Sequence, residues 1–335
     1  MKRLIVTAFL LPLLIIRAVP LAAGGEWKKI KDADGIRVYE RPVPATGLVE
    51  YLAVTAIPEK MEVIGEALRD VDSFNQWISD CKEAKIVKKH DKNNFITYMV
   101  LNPPVIEERD IVLEDKTIYD FDHGKAAISF FSIEHGAIPP KKGRTRVAVM
   151  DGDYTMEFLG RDRTKFIYRL KVDPAGSIPK NVAYAVMKQF PYKTLSRLKN
   201  IVKQGKYSAA ARGSFEEKRI NTLVKNEGAV RRILACRLAK FVRNRDVLRN
   251  IIMTDQAGIK SIVASGGSYA SVEKATTGLL LEYVRRTADD RAIAENLANN
   301  RNMTAEISDM VINECGIDHL VIDDIVEKYR SRDSR

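Results

Sequence analysis

Between Thr164 and Val172 the chain alternates strictly: Phe166, Tyr168, Leu170 and Val172 fall on one side, Lys165, Arg169 and Lys171 on the other. Successive side chains of a β-strand point to opposite faces, so this run specifies a strand with one apolar and one wetted face. Such a strand belongs to an antiparallel sheet that packs on one side only. Similar runs occur at Trp27–Lys31, Ile36–Arg41, Val49–Ile57, Ala84–Lys89, Asn94–Leu101, Asp110–Ile118, Ala126–Ile133 and Thr145–Leu159. Turn-forming residues separate them, at Asp34-Gly35, Asp91-Lys92-Asn93, Asp122-His123-Gly124, Pro139 to Gly143 and Gly160-Arg161-Asp162, so a meandering antiparallel sheet is expected. Asp34-Gly35 between two such runs predicts a tight hairpin.

Two helical patterns flank the strands. Pro58 stands at a first helical position, and Met61, Ile64, Leu68, Val71 and Phe74 recur at helical spacing, which predicts an amphipathic helix from Pro58 towards Trp77. A second helix is expected from Pro179 to Val202, with Met187, Phe190, Leu195 and Leu198 along one stripe and a kink or break at Pro191. The expected class is α+β: a strongly curved sheet whose apolar concave face one long helix cannot fill. Either aromatic side chains plug that face or it holds a ligand.

Composition bounds the chemistry. At 335 residues the chain suits about two domains, and 55 Lys and Arg against 44 Asp and Glu give a net charge of +11, which favours anionic surfaces. Cys81, Cys236 and Cys315 are too scattered for a disulfide scaffold or a paired-cysteine zinc site, although Cys236 with Cys315 is the couple expected if any pair forms. His90, His123, His135 and His319 show no metal-ligand spacing, so neither a metal nor a cofactor is expected. No phosphate loop, Rossmann fingerprint or Gly-x-Ser-x-Gly elbow is present.

The N-terminus has a secretory layout: Met1-Lys2-Arg3 is cationic, Leu4 to Ile16 is apolar over 13 residues, and Val19 to Gly25 is small and helix-breaking. The apolar run is short of the ~20 residues that span a bilayer. Residues 1–23 are expected to be a signal peptide cleaved near Ala23, and the chain to be exported, periplasmic or secreted.

Several fragments, in order, resemble the lipid-transfer START domain: Trp27-x-x-Ile30 with Asp34-Gly35-Ile36-x-Val38-Tyr39-x-Arg41, Trp77-Ile78-x-Asp80-Cys81-x-Glu83-Ala84, and Pro103 followed by Arg109-Asp110. The resemblance continues through Gly152-x-Tyr154, Asp173-Pro174-x-Gly176-x-Ile178-Pro179 and Phe190-Pro191-x-x-Thr194-Leu195-x-x-Leu198, covering residues 26–204. It implies a helix-grip fold in which the sheet wraps the long helix around a hydrophobic cavity for one lipid-like molecule. The ligand-lining residues it implies are Tyr98, Val100, Arg109, Phe130, Met150, Tyr154, Phe166, Tyr168, Met187 and Phe190. Arg109 either holds a polar lipid head or serves an ion pair that fixes the strand. Cholesterol-binding members are expected to carry a buried acid and base; the positions aligned with that pair are Met99 and Glu114, which leaves phospholipid, fatty acid or hopanoid-like ligands equally open.

Beyond this region β-pattern never returns. Residues 205–214 read as a linker and 215–335 as a small all-α domain, with helical spacing at Phe215–Lys225, Ala229–Met253, Tyr269–Thr287, Asp289–Ala298, Met303–Cys315 and Asp318–Tyr329. Residues 205–335 hold 22 basic and 18 acidic side chains and residues 27–204 hold 30 and 25, so the charge is not gathered in a tail and nucleic acid is not an expected partner. A homo-oligomer or an envelope protein is the partner open to residues 215–335.

Three functions remain. The first is an exported lipid-binding or lipid-transfer protein that touches membranes transiently, with the kinked helix as lid. The second is a cyclase- or aromatase-like enzyme in the same cavity, for which Tyr98, Arg109, Tyr154 and Tyr168 are available; tyrosines at alternate strand positions are more often core residues with one wet end, so no catalytic residue is assigned. The acidic Glu107, Glu108 and Asp110 read as a solvated strand start. The third is an envelope scaffold with a filled cavity.

Overall fold

The structure, a computed structural model, describes residues 27–44, 46–239 and 245–287. Strands β1 (Lys28–Ala33), β2 (Ile36–Pro42) and β3 (Val49–Ile57) lead into helices α1 (Met61–Arg69) and α2 (Phe74–Trp77). Then follow β4 (Cys81–Lys89), β5 (Asn94–Leu101), β6 (Arg109–Asp120), β7 (Lys125–Ser132), the two-residue β8 (Thr145–Arg146), β9 (Val149–Gly160) and β10 (Arg163–Asp173). Helices α3 (Lys180–Met187) and α4 (Phe190–Ile201) precede α5 (Gly205–Ala211), α6 (Phe215–Lys225), α7 (Glu227–Leu238), α8 (Arg245–Thr254), α9 (Gln256–Ala264) and α10 (Tyr269–Thr287). No helix of the described residues is long and apolar enough to cross a membrane.

The strands form one antiparallel sheet in the order β1-β2-β3-β10-β9-β7-β6-β5-β4, with β8 added in parallel to β6. Asp34 and Gly35 take φ values of 54° and 69°, the paired left-handed geometry of a type I′ turn, so the first hairpin forms where Asp-Gly predicts it. The sheet curls around α4, which packs on β2, β3, β10 and α2. This is the helix-grip arrangement, with further helices following it.

Four boundaries differ from the sequence reading, each for a local reason. The expected Pro58–Trp77 helix breaks at Asp70, which leaves helical geometry with ψ 76° and accepts hydrogen bonds from Lys206 Nζ (2.7 Å) and Tyr207 Oη (3.0 Å). The Thr145–Leu159 strand divides into β8 and β9 because Arg146 is drawn to Asp110. The Pro179–Val202 helix breaks at Lys188-Gln189, as Pro191 requires: it has no N–H to give Met187 and its ring would crowd that carbonyl. The Ala229–Met253 pattern resolves into α7 and α8. The helices expected beyond Asp289 and the Cys236–Cys315 pairing fall, in whole or in part, outside the described residues.

Residues 205–214, read as a linker, instead carry α5, whose Tyr207 and Ala211 are buried against the core. That core runs without interruption from the sheet into α6–α10. Ile233 of α7 lies against Phe158 of β9 beside Gly124, and Phe215 of α6 meets Tyr119 and Phe121 edge-on at 6.2 and 6.0 Å. A Cβ on Gly160 would fall 2.3 Å from Tyr269 Cα, so only glycine admits the start of α10 at this turn.

Arg161, in the β9–β10 turn, ties the two parts together. Its Nη1 lies 2.5 Å from Glu62 Oε1 on α1 and its Nη2 3.7 Å from Glu217 Oε1 on α6, while Nε donates to Asn221 at 3.1 Å. The Glu62 side chain is 1% exposed, so removal of its cation would strand a buried charge, which costs roughly 3–5 kcal/mol. Arg161→Ala is therefore expected to lower the urea midpoint by an amount equivalent to about 3 kcal/mol; a midpoint unchanged from wild type would show that the tie carries no stability.

Candidate functional site: the concave face of the sheet

Strand parity decides which side chains meet α4. Phe95, Thr97 and Met99 of β5, Ile111, Leu113 and Asp115 of β6, Ile128 and Phe130 of β7, Met150, Tyr154 and Met156 of β9, and Phe166, Tyr168 and Leu170 of β10 share the inner face. Trp77 of α2 and Phe190, Leu195 and Leu198 of α4 close over them. Tyr154 is the hub of an aromatic cluster: its ring centroid is 4.8 Å from Tyr168, 5.2 Å from Phe130, 5.7 Å from Trp77 and 5.9 Å from Phe166. Gly152 makes this packing possible, because a Cβ there would sit 2.6 Å from the Phe130 ring.

A few polar atoms lie inside this apolar surface. Asp115 is 6% exposed and takes one hydrogen bond on Oδ2, from Thr97 Oγ1 at 2.8 Å. It has no cationic partner among the described residues. Burial, aided by the neighbouring charge of Glu114, raises its carboxyl to about 7 against the pull of Thr97. The Trp77 indole N–H has no hydrogen-bond partner, and the Tyr168 hydroxyl faces that of Tyr154 without a well-formed bond. Burial raises both tyrosines, so they stay protonated, and it raises the Cys81 thiol to about 12.

At one end of the sheet lies a cluster of charges. Asp110 is fully buried and receives Arg146 through Nε at 2.9 Å and Nη2 at 3.0 Å, and Tyr98 Oη at 3.2 Å. Burial works against its ionisation, but the hydrogen bonds and charge of Arg146 outweigh it and hold the carboxyl below its ordinary range. Arg109 points its guanidinium at carbonyls: Nε donates to Pro174 at 3.3 Å, Nη2 to Ala175 at 3.5 Å, and Nη1 to Glu107. Its function is thus to clamp the Asp173–Gly176 turn to the start of β6.

The solvent side of α4 is held by a polar latch. Tyr192 Oη donates to the Asp34 carboxylate and Lys199 Nζ to the Asp34 carbonyl at 2.8 Å. Lys31 Nζ donates to Gln189 at 3.2 Å and stands 3.6 Å above the Tyr192 ring. Two open pockets, of about 460 and 280 Å³, lie respectively between α8, α9 and α10 and between α1, α5 and the β4–β5 hairpin.

The START domain family matches residues 19–206, more than half of the chain. The chain belongs to that family. Within the START region it is 28% identical over 179 residues to an uncharacterized protein of Pseudomonas aeruginosa, covering 53% of this chain and 88% of that one. It is 23% identical over 184 residues to the mitochondrial steroidogenic acute regulatory protein of Danio rerio, and that match spans 63% of the fish protein. Among solved structures, a STAR-related lipid transfer protein fragment from Xanthomonas axonopodis aligns with 26% identity and a TM-score of 0.49, over 53% of this chain and 99% of the fragment. The human StAR-related lipid transfer protein 5 aligns with 20% identity and a TM-score of 0.48, over 55% and 88%.

The residues expected to line a START cavity divide. Phe130, Met150, Tyr154, Phe166, Tyr168 and Phe190 come together on the inner face, and Met187 packs at its edge. Tyr98 and Val100 do not: they lie on the outer face with Ile96 and Val112, under the segment that carries Ile133 and Ile138. Arg109 is buried but spent on carbonyls, and Asp110, expected to be solvated, is sealed with Arg146. The inward acid is Asp115, one residue from the expected Glu114, which instead faces out towards Lys116 at 3.0 Å. Lys165, expected to be wet, is fully buried 3.5 Å from Glu157.

Asp115 sets a pH dependence of known sign. Its folded-state value is raised above the unfolded 3.8, so its contribution to stability is complete below pH 4 and is lost as pH rises through about 7. Asp115→Asn, which stays neutral, is expected to gain thermal stability over wild type as pH rises from 4 to 8. Melting curves that differ by the same amount at both ends would refute the assignment.

Proposed function

We propose that this START chain binds one lipid-like molecule between the concave sheet and α4 and carries it between membranes. The observation that bears the proposal is the inner face itself: a continuous apolar and aromatic surface, gathered from five strands, that faces a helix held at its outer edge by exchangeable polar contacts. The driving force is hydrophobic. Burial of a methylene group yields roughly 0.8 kcal/mol, so a sixteen-carbon chain gains on the order of 10 kcal/mol, against which the rings around Tyr154 must part. The α3–α4 break at Lys188-Gln189 supplies a hinge, so α4 needs only to leave the Asp34 hairpin for a ligand to enter. The secretory layout of residues 1–23 supports action outside the cytoplasm, and the net charge of +11 supports brief contact with anionic headgroups.

The first test is to purify the chain, denature it and identify co-purifying lipid by mass spectrometry, then to follow transfer of a fluorescent phospholipid or fatty acid between vesicles. About one lipid per chain, together with vesicle-to-vesicle transfer, is expected. Tyr192→Phe, which removes one latch contact worth about 1 kcal/mol, should speed transfer several-fold. A folded protein that carries no lipid and takes none from vesicles would overturn the proposal and leave the aromatic cluster as ordinary core of a scaffold.

A further inference from the structure

The polar atoms on the inner face point to the kind of head such a lipid carries, an inference that rests on the lipid-binding reading above. Around Tyr154 lie three groups with hydrogen-bonding capacity to spare. Trp77 is fully buried and its indole N–H is unpartnered, although its ring stands only 5.7 Å from Tyr154. Tyr168 is 1% exposed; were Tyr154 to donate to it, the proton of Tyr168 would still lack an acceptor. Asp115 lies opposite Phe130 in strand register, and the Phe130 ring is 5.2 Å from Tyr154, which places this carboxyl at the same cluster. Thr97 satisfies only part of it. A buried donor left unpaired costs about 1–3 kcal/mol, so three such groups around one ring cluster are an unusual core and an ordinary binding subsite.

Charge narrows the class. A phosphate head would set a second anion beside Asp115. The inner-face cation that could answer it, Arg109, is committed to the carbonyls of Glu107, Pro174 and Ala175. An ammonium head would need Asp115 ionised, which its burial opposes. An uncharged oxygen meets neither obstacle: it accepts from Trp77 and Tyr168 and exchanges a hydrogen bond with Asp115 in either direction.

We propose that the ligand is a lipid with an uncharged, oxygen-bearing head, an alcohol or carbonyl without phosphate or ammonium, and that Trp77, Tyr168 and Asp115 receive that head deep against the sheet. The test offers the purified full chain three vesicle-borne probes that share one tail: hexadecan-1-ol, hexadecyl phosphate and hexadecane. Uptake is read by native mass spectrometry at pH 6.5. The alcohol is expected to be taken up about tenfold better than either of the others. Trp77→Phe and Asp115→Leu should each reduce the preference for the alcohol over the alkane about tenfold without a matching loss of alkane uptake, whereas Asp115→Asn, neutral and of the same shape, should keep it. If either apolar variant fails to fold, the wild-type ranking with Asp115→Asn decides. Equal uptake of alcohol and alkane, or a preference for the phosphate, would overturn the head-group assignment while the lipid-binding reading stands. No uptake of any probe would overturn both.

Discussion

The rest of the structure depends on the need to keep water off one face of a long, curved sheet. Ten strands place their apolar side chains on the concave side, and no single helix is wide enough to cover them. Helix α4 covers the half built from β2, β3 and β10; Trp77 and α1 extend the cover, and α6–α10 finish it around the Phe121–His123 turn and along β9. The helices after α4 are therefore part of the same core as the START region. Their inner surfaces are spent on the sheet, which leaves only outward faces for any further partner.

Charges are distributed by the same need. Where an ion is buried without a ligand function, it is met: Asp110 by Arg146, Glu62 by Arg161, Glu216 by Arg69 at 3.2 Å and by the Tyr119 hydroxyl at 2.7 Å. These pairs join segments distant in sequence and fix the edges of the fold. Asp115 stands apart from them, within an apolar surface and with one neutral partner. The contrast between paired edges and an unpaired interior marks the concave face as the place where the chain has kept polar capacity in reserve.

Much of this was legible in the sequence because it rests on local rules. Alternation from Phe166 to Val172 set the inner face of β10, Asp34-Gly35 set a type I′ turn, and Pro191 set the break between α3 and α4. What escaped depended on distant partners. Parity shows which face a residue shares but not what later covers the other face, so Lys165 was expected in water and Tyr98 in the cavity. A one-residue slip in β6 exchanged Glu114 for Asp115, since a period of two moves every side chain to the opposite face. Residues 205–214 have a linker's composition, yet Tyr207 lands against α1 and makes them helical. Trp77 and Asp115 were missed as site residues because neither type signals a site until its neighbours are known.

The order of strands across the sheet also governs how the chain assembles. β3 pairs with β10, joining Leu52 to Arg169 across more than a hundred positions of sequence. Until β10 has been made, the β1–β2–β3 meander ends in an unpaired edge with Ala53 and Ile57 exposed, a surface open to association with other chains. Loop closure over that distance is slow, so the first part of the sheet to be synthesised is among the last to be secured. A chain of this topology stays open for a long interval after synthesis begins, and its early strands rely for that time on something other than their final neighbours.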